Sequence, residues 1–458
     1  MQSIGDKMKF RKFKIDSKFY KHLSNSEKEV LKILVDVARD ASKIYEIQLE
    51  DGFYPKDITK RQLEKESEIE PNILSPLTYI EEKNGRLTAV PFHIRYSKYL
   101  ISISKKLYKA AEACTNESFK NYLKARARSL LDDTTYEEAY RLWLNVKNSN
   151  IDFIIGPFET HLDKVFSLKR AFQAHVGIVD QEQTQLAERY KEALYSSAKI
   201  SFSKYHSTDI PKKGVNVLVE HTLAISGYPA DILSSGQQFP RNVDIALKYG
   251  SRIVIYASQI RLKFERLYFP IFKAIFEKRF ASKYSKDLLL EAVSLTILLY
   301  ELGKQLHKFV GVRDRLQELY PPIDEANGFA SGIEHSKHLV VKGLLSQEQL
   351  EAIMIIHIVW MIADWLLYKD NIAKQSHMIG YSILLNSYLS HGALRESEGI
   401  SWPNFSRIFF EIETLAYKLT YFLQKGSYKE TERFIKTNAN LKSFEQFSKT
   451  LKGISTQV

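Results

Sequence analysis

Apolar residues recur at helical spacing over SEKEVLKILVDVARDASKIYEIQLE, residues 26–50, where Val30, Ile33, Leu34, Val37, Ala41 and Ile44 share one face. The stripe predicts an amphipathic helix capped by Ser26 or Asn25. After DGFYPKDITK the pattern shortens, and LSPLTYIEEKNGRLTAVPF predicts a hairpin turning at Asn84-Gly85. Helical periodicity returns from His93 to Lys147. It breaks at IDFIIGPFETHLDK, residues 151–164, which is β-branched and aromatic and is interrupted by Gly-Pro. VNVLVEHTLAI from Val215 and SRIVIYAS from Ser251 predict two more strands, separated by a segment rich in Gly, Ser and Pro. From Gln259 to about Lys425 nearly everything reads as helix, with stripes wide enough for burial on several sides. The tail GSYKETERFIKTNANLKSF predicts one or two surface helices. The chain is therefore mainly α with a small α+β part.

The most apolar run, AIMIIHIVWMIADWLLY from Ala352 to Tyr368, contains His357 and Asp364 and falls short of the roughly 20 apolar residues a bilayer requires. It predicts a buried core helix and no membrane span. The opening MQSIGDKMKFRKFKID has basic residues but no apolar run behind them, so it does not read as a secretion signal.

Composition narrows the class without naming a function. Hydrophobic residues make up 44% of the chain and charges are interspersed, which fits a globular protein. One cysteine, Cys114, excludes an intrachain disulfide and a Cys-rich zinc module and points to the reducing cytoplasm. It has no sequence-adjacent His partner and is not expected to be a nucleophile. The net charge of +12 allows steering toward an acidic partner. The lysines are spread along the chain with no basic stripe and no known module, so nucleic acid is not expected. Phosphate-cradling loops, dinucleotide fingerprints and the Gly-x-Ser-x-Gly elbow are absent. Oligomeric state is not indicated.

The chemistry concentrates in LLYELGKQLHKFVG, residues 298–311. A zinc helix carries His-Glu-x-x-His, because histidines at i and i+4 reach one ion and the Glu polarises its water. Here Glu301 stands in the general-base position, but Tyr300 and Lys304 stand where the histidines would be. Glu325, in PPIDEANGFASGIEHSKH, supplies a carboxylate on a later helix. His307 lies two turns beyond Tyr300, about 10 Å away, too far to share an ion with it. The string EHSKH lacks a glutamate between His335 and His338 and reads as ordinary helix polarity.

With these motifs in view, the chain resembles the dipeptidyl peptidase III family of zinc exopeptidases. The likeness runs from DGFYPKDITK through SPLTYIEEKNGRLTAVPF, LLDDTTYEEAYRLWL and IDFIIGPFETHLDKVFSLKRAFQAHVGIVD to YELGK, DEANGFASGIEHSKHLVVKGLL and NIAKQSHMIGYSILLNSYLSHGAL. The resemblance implies a two-lobed architecture with an interlobe cleft. Residues 1–180 with 215–258 and 426–458 would form a lower lobe of helices and a small sheet, and 181–214 with 259–425 a helical lobe carrying both motif helices. It implies further that Glu301 matches the catalytic glutamate, Glu325 the carboxylate ligand, His377 a histidine lining the active site, and Glu159 a glutamate that holds the substrate's amino end.

The departures from the family pattern are chemical. Tyr300 and Lys304 replace both histidine ligands, and Gly328 and Phe329 depart at the end of the Glu325 motif, where Phe329 replaces a carboxylate. His161 replaces a tyrosine, Gln173 a second glutamate, and Gln238 and Arg241 stand where asparagines pair with peptide backbone. A lysine ammonium about 4 Å from zinc is repelled by roughly 8 kcal/mol at an effective ε near 20. Deprotonating an ordinary lysine at neutral pH costs about 4–5 kcal/mol. The family's zinc is therefore not expected here, and Lys304 is expected to turn inward as the counter-ion of Glu325 and Glu301.

Three functions follow from this. The first is a catalytically inactive member whose cleft binds a peptide, small molecule or protein. The second is an active metallopeptidase with altered ligands. The third is an interaction protein acting through its basic surface.

Overall fold

The computed structural model describes residues 9–456, apart from 167, 206–213, 241–242, 307–308, 310, 371–373 and 398–399, and without side chains at 197–205, 243–244 and 400. The first long helix is Asn25–Asp51, and its cap is Ser24, not Asn25 or Ser26. The Ser24 hydroxyl accepts the Glu27 N–H while the Glu27 carboxylate accepts the Ser24 N–H, a reciprocal cap that satisfies two otherwise orphaned donors. Helices Ser97–Ala113, Glu117–Ser129 and Tyr136–Leu144 occupy the next predicted helical stretch.

Strand β1 is Phe10–Lys12, and the hairpin pairs β2 (Thr78–Lys83) with β3 (Arg86–Pro91). Asn84 and Gly85 both take positive φ, as a two-residue hairpin turn requires. The main sheet contains β4 (Ile151–Glu159), β5 (Ala171–Val179), β6 (Val215–Ser226), β7 (Gly236–Phe239) and β8 (Ser251–Tyr256), in the order β4-β5-β6-β8-β7 with β1 paired to β6. Within this sheet, among the described residues, β6 and β8 form the parallel pair. Strand β5 is buried at every position, which removes the alternation that marks a half-exposed strand. Strand β7 is only four residues long. Neither is legible from periodicity.

Two apolar cores flank this sheet. One contains Leu34, Tyr45, Trp143, Phe153 and Val176; the other is the helical core with Leu194, Phe272, Leu299, Ile356 and Leu419. Strands β6 and β8 serve both, since Val217 and Ile253 join the helical core while Val254 and Tyr256 join the other. The tail 426–458, expected on the lower lobe, packs instead on the helical core through Phe444, Phe447 and Leu451. Phe444 stacks on Trp365 with ring centres 5.9 Å apart. These three apolar residues lie at i, i+3 and i+7, a helical stripe inside an otherwise polar tail.

Helix Gln347–Tyr368 has the length and hydropathy to cross a membrane, yet 83% of its most apolar window is buried in the protein. Its neighbours Lys286–Leu306 and Tyr320–Val341 carry the two motifs and cross at contact distance. A Cβ on Gly332 would lie 2.1 Å from the Leu299 carbonyl oxygen, and one on Gly303 would lie 2.3 Å from the Gly328 carbonyl oxygen. Only glycine permits that approach, and the approach sets the site.

Candidate functional site

The close crossing places one turn of Lys286–Leu306 directly over Glu325. Tyr300 and Lys304, four residues apart, project from the same face. The Tyr300 hydroxyl donates to Glu325 Oε2, and Lys304 Nζ donates to Glu325 Oε1 at 2.8 Å and to the Tyr300 hydroxyl at 2.9 Å. Asp324 lies 3.7 Å from the same ammonium. His377 comes from helix Gln375–Ser390, with Nε2 3.5 Å from Glu325 Oε2. Gly380 lets that helix in, because a Cβ there would meet the Pro322 carbonyl oxygen at 2.8 Å.

Electrostatics follow from the geometry. Burial alone would raise the Glu325 carboxyl; the neighbouring His377, the Lys304 ammonium and the hydrogen bonds from Lys304 and Tyr300 together outweigh it and hold it well below the usual range. Burial likewise opposes the charge on Lys304, but Glu325, Asp324 and Glu301 push it up, so it is an ammonium. Tyr300 is driven well above its ordinary value by burial and by Glu325, and keeps its proton. His377 is driven well below its range, chiefly by burial with help from Lys374, and is neutral. With His377 neutral, the full charge that faces Glu325 at hydrogen-bond distance is the Lys304 ammonium.

Can these residues hold the zinc that the sequence resemblance implies? A ligand must offer a lone pair. Lys304 is protonated and already donates to both other members, Tyr300 is protonated, and Glu325 has accepted both donors. The set does not fit the ion. The two other departures from the motif complete the arrangement. Gly328 leaves room for the Lys304 stem and the Tyr300 ring, and Phe329 packs its ring on Tyr300 with centres 4.4 Å apart. Phe329 also meets Trp360 edge-on at 5.2 Å, so an aromatic wall stands where a carboxylate would be.

A cavity of about 60 Å³ opens beside this cluster. It brings together Glu159, His161, Tyr300, Glu301, Lys304, Glu325 and His377. Glu159 accepts the backbone N–H groups of Thr160 at 2.9 Å and His161 at 3.3 Å, with His161 Nε2 3.4 Å from its carboxylate. The His161 and His377 rings lie 5.6 Å apart across the cavity.

Gln173 and Gln238 do not line it. Successive side chains of β7 point to opposite faces, and Gln237 is the one that reaches the cavity. Gln173 stands one step behind, in a reciprocal amide pair with Gln237 at 3.0 and 3.3 Å. Arg241 and His307 lie outside the described residues. Glu334 pairs with His335 and Lys337 away from the cavity, and burial raises the Cys114 thiol.

The lining also contains Tyr228, Ser235, Lys263, Trp360, Asp364, Lys374 and Tyr381, none of them flagged from sequence. Asp364 alone left a mark, as a charge inside an apolar run. A larger cavity of about 720 Å³ lies along the first half of the Lys286–Leu306 helix, lined by Phe19, Tyr190, Ile260 and Leu298 among others. It contains none of the motif residues.

No family model matches the chain. A curated relative, Nudix hydrolase 3 of Arabidopsis thaliana, is 23% identical over 383 residues, covering 82% of this chain. The chain spans about half (48%) of that relative's length. Among solved structures, DPP III from Caldithrix abyssi is similar with a TM-score of 0.84 at 19% identity, over 98% of this chain and 96% of that one. Dipeptidyl-peptidase III from Corallococcus sp. strain EGB gives 0.85 at 20% identity, over 99% and 95%. The chain has the two-lobed dipeptidyl peptidase III fold.

Proposed function

We propose that this protein is a dipeptidyl peptidase III-fold protein without peptidase turnover, whose cleft serves as a ligand-binding site. The observation that carries the reading is the closed triangle of Tyr300, Lys304 and Glu325. A side-chain ammonium neutralises the carboxylate that would be a metal ligand, and each oxygen of that carboxylate already accepts a hydrogen bond from the cluster. Glu301 keeps the general-base position without an activated water to act on. Pairing Gln173 with Gln237 removes from the cavity a group expected there for substrate recognition. A space of about 60 Å³ suits a small molecule better than a peptide.

The test is metal analysis of protein purified without chelator, joined to a dipeptidyl-arylamide assay. The expected result is substoichiometric metal and no turnover above the Glu301→Gln variant. Stoichiometric metal with cleavage abolished by Glu301→Gln would overturn the proposal.

A further inference from the structure

Beside the Lys304 cluster, the same cavity holds charges that the metal-niche reading leaves without a task. Lys263, the last residue of the Ala257–Lys263 helix, is only 5% exposed, and its ammonium has no hydrogen bond or ion pair among the described residues. Lys374 is nearly as buried, with Nζ 3.8 Å from Asp364 Oδ2. Both lysines line the cavity. Asp364 Oδ2 accepts Trp360 Nε1 at 3.2 Å and the Tyr381 hydroxyl at 3.5 Å. Among the described residues, Asp364 Oδ1, Ser235 Oγ and His377 Nδ1 are buried without a hydrogen bond of normal geometry, with Ser235 beside the Tyr268 hydroxyl.

One carboxylate faces two ammonium groups here, which leaves a positive excess. The excess is local to this end, since the lining as a whole holds the four carboxylates Glu159, Glu301, Glu325 and Asp364 against the three lysines Lys263, Lys304 and Lys374; Glu325 is paired with Lys304, and Glu159, which accepts the Thr160 and His161 N–H groups, lies on the His161 wall. Glu301 raises the charge on Lys304, at the Glu325 end of the cavity. A buried cation without a partner is costly enough that proteins keep one only where something else meets it. Burial, opposed by the attraction of Asp364 and helped by the repulsion of Lys374 and Arg11, lowers Lys263 to about 8, which still leaves it mainly charged at neutral pH.

We propose that this end of the cavity binds a small oxyanion, the carboxylate or phosphate group of a small molecule, between Lys263 and Lys374 with the Ser235 hydroxyl as a further donor. The inference rests on the reading of the cavity as a metal-free binding site.

Chelator-treated protein is titrated with acetate, inorganic phosphate and sulfate, following heat and thermal midpoint, for wild type, Lys263→Met and Lys374→Met. Wild type should gain midpoint with at least one anion. Each methionine variant should bind that anion at least about tenfold more weakly, as expected for losing a hydrogen bond to a charged group. Lys263→Met should also melt higher than wild type without anion, since it removes an unpaired buried charge. Response to acetate alone assigns a carboxylate ligand; response to phosphate and sulfate assigns a phosphoryl group. An equal response in wild type and Lys263→Met, or none in wild type with any of the three, overturns the inference. Metal content is measured on untreated samples of the same preparations. Anion binding by a zinc-loaded enzyme would defeat the pseudopeptidase reading and keep the anion site; a metal-free protein indifferent to anions would do the reverse.

Discussion

Gly328 lies directly beneath Lys304: a Cβ added to the glycine would sit 2.7 Å from Lys304 Cγ and 3.0 Å from Tyr300 Cδ2. The contact is with the middle of the lysine stem and with a ring, neither of which can swing aside as a flexible chain end would. An interior glycine normally weakens a helix by about 1 kcal/mol relative to alanine, so Gly328→Ala in isolation would stabilise. Here overpacking of about 1–3 kcal/mol opposes that gain. Net destabilisation is expected in wild type and net stabilisation in a Lys304→Ala, Tyr300→Ala background. Urea denaturation of the four-member cycle checks the sign change.

Lys304→Met leaves Glu325 buried beside a neutral side chain. Breaking one partner of a buried pair costs about 3–5 kcal/mol, whereas replacing both is close to neutral. The single variant should therefore lose that much stability, and Lys304→Met with Glu325→Leu should recover most of it. Equal losses in the single and double variants would show that the pair carries no mutual compensation.

Stability should fall on acidification in two stages. Burial lowers His357, which bonds the Tyr388 hydroxyl at 3.0 Å, to about 3. Its folded value is depressed below the unfolded value of about 6.5, so its contribution is complete above that pH and is lost as pH falls toward the folded value. Glu325, depressed below the ordinary carboxyl range, adds a loss at lower pH still. The unfolding free energy from urea titrations should decline as pH falls below about 6.5, by a few kcal/mol in all. His357→Phe should flatten the upper part of that decline.

Restoring both histidines, Tyr300→His with Lys304→His, removes the internal cation and returns two imidazoles to the face above Glu325. Zinc affinity should rise from undetectable to a stoichiometric site in equilibrium dialysis. Peptide cleavage should stay absent, because Gln173 remains paired with Gln237 and Phe329 still fills the carboxylate position behind the helix. Cleavage by the double variant would mean that metal loss alone separates this protein from an active enzyme.

Gln173→Glu places a carboxylate at a position 1% exposed and removes the donor to Gln237 Oε1, which also accepts the Tyr256 hydroxyl at 2.9 Å. Gln237 Oε1 keeps the Tyr256 hydroxyl, so the cost falls on the buried, uncompensated charge, and a loss of at least about 1–3 kcal/mol is expected in chemical denaturation. The loss should shrink at acid pH, where the new carboxyl takes a proton and regains a donor.

The sequence by itself determined the helices with wide apolar stripes, the Asn84-Gly85 hairpin, three strands, and the chemical fact that Tyr300 and Lys304 share a face where a zinc helix would present histidines. These are local properties, fixed by the 3.6-residue period and by side-chain donor chemistry. Tertiary structure decided the rest. Strand β5, buried on both faces, has no alternation to read, and the choice of Gln237 over Gln238 depends on the strand's rotation about its own axis. The burial of the Lys263 ammonium without an ion pair among the described residues, and its nearness to Lys374, arise from segments far apart in the chain. So does the function of Gly328 and Phe329, which look like erosion of a motif until the crossing of two helices shows what each makes room for or covers.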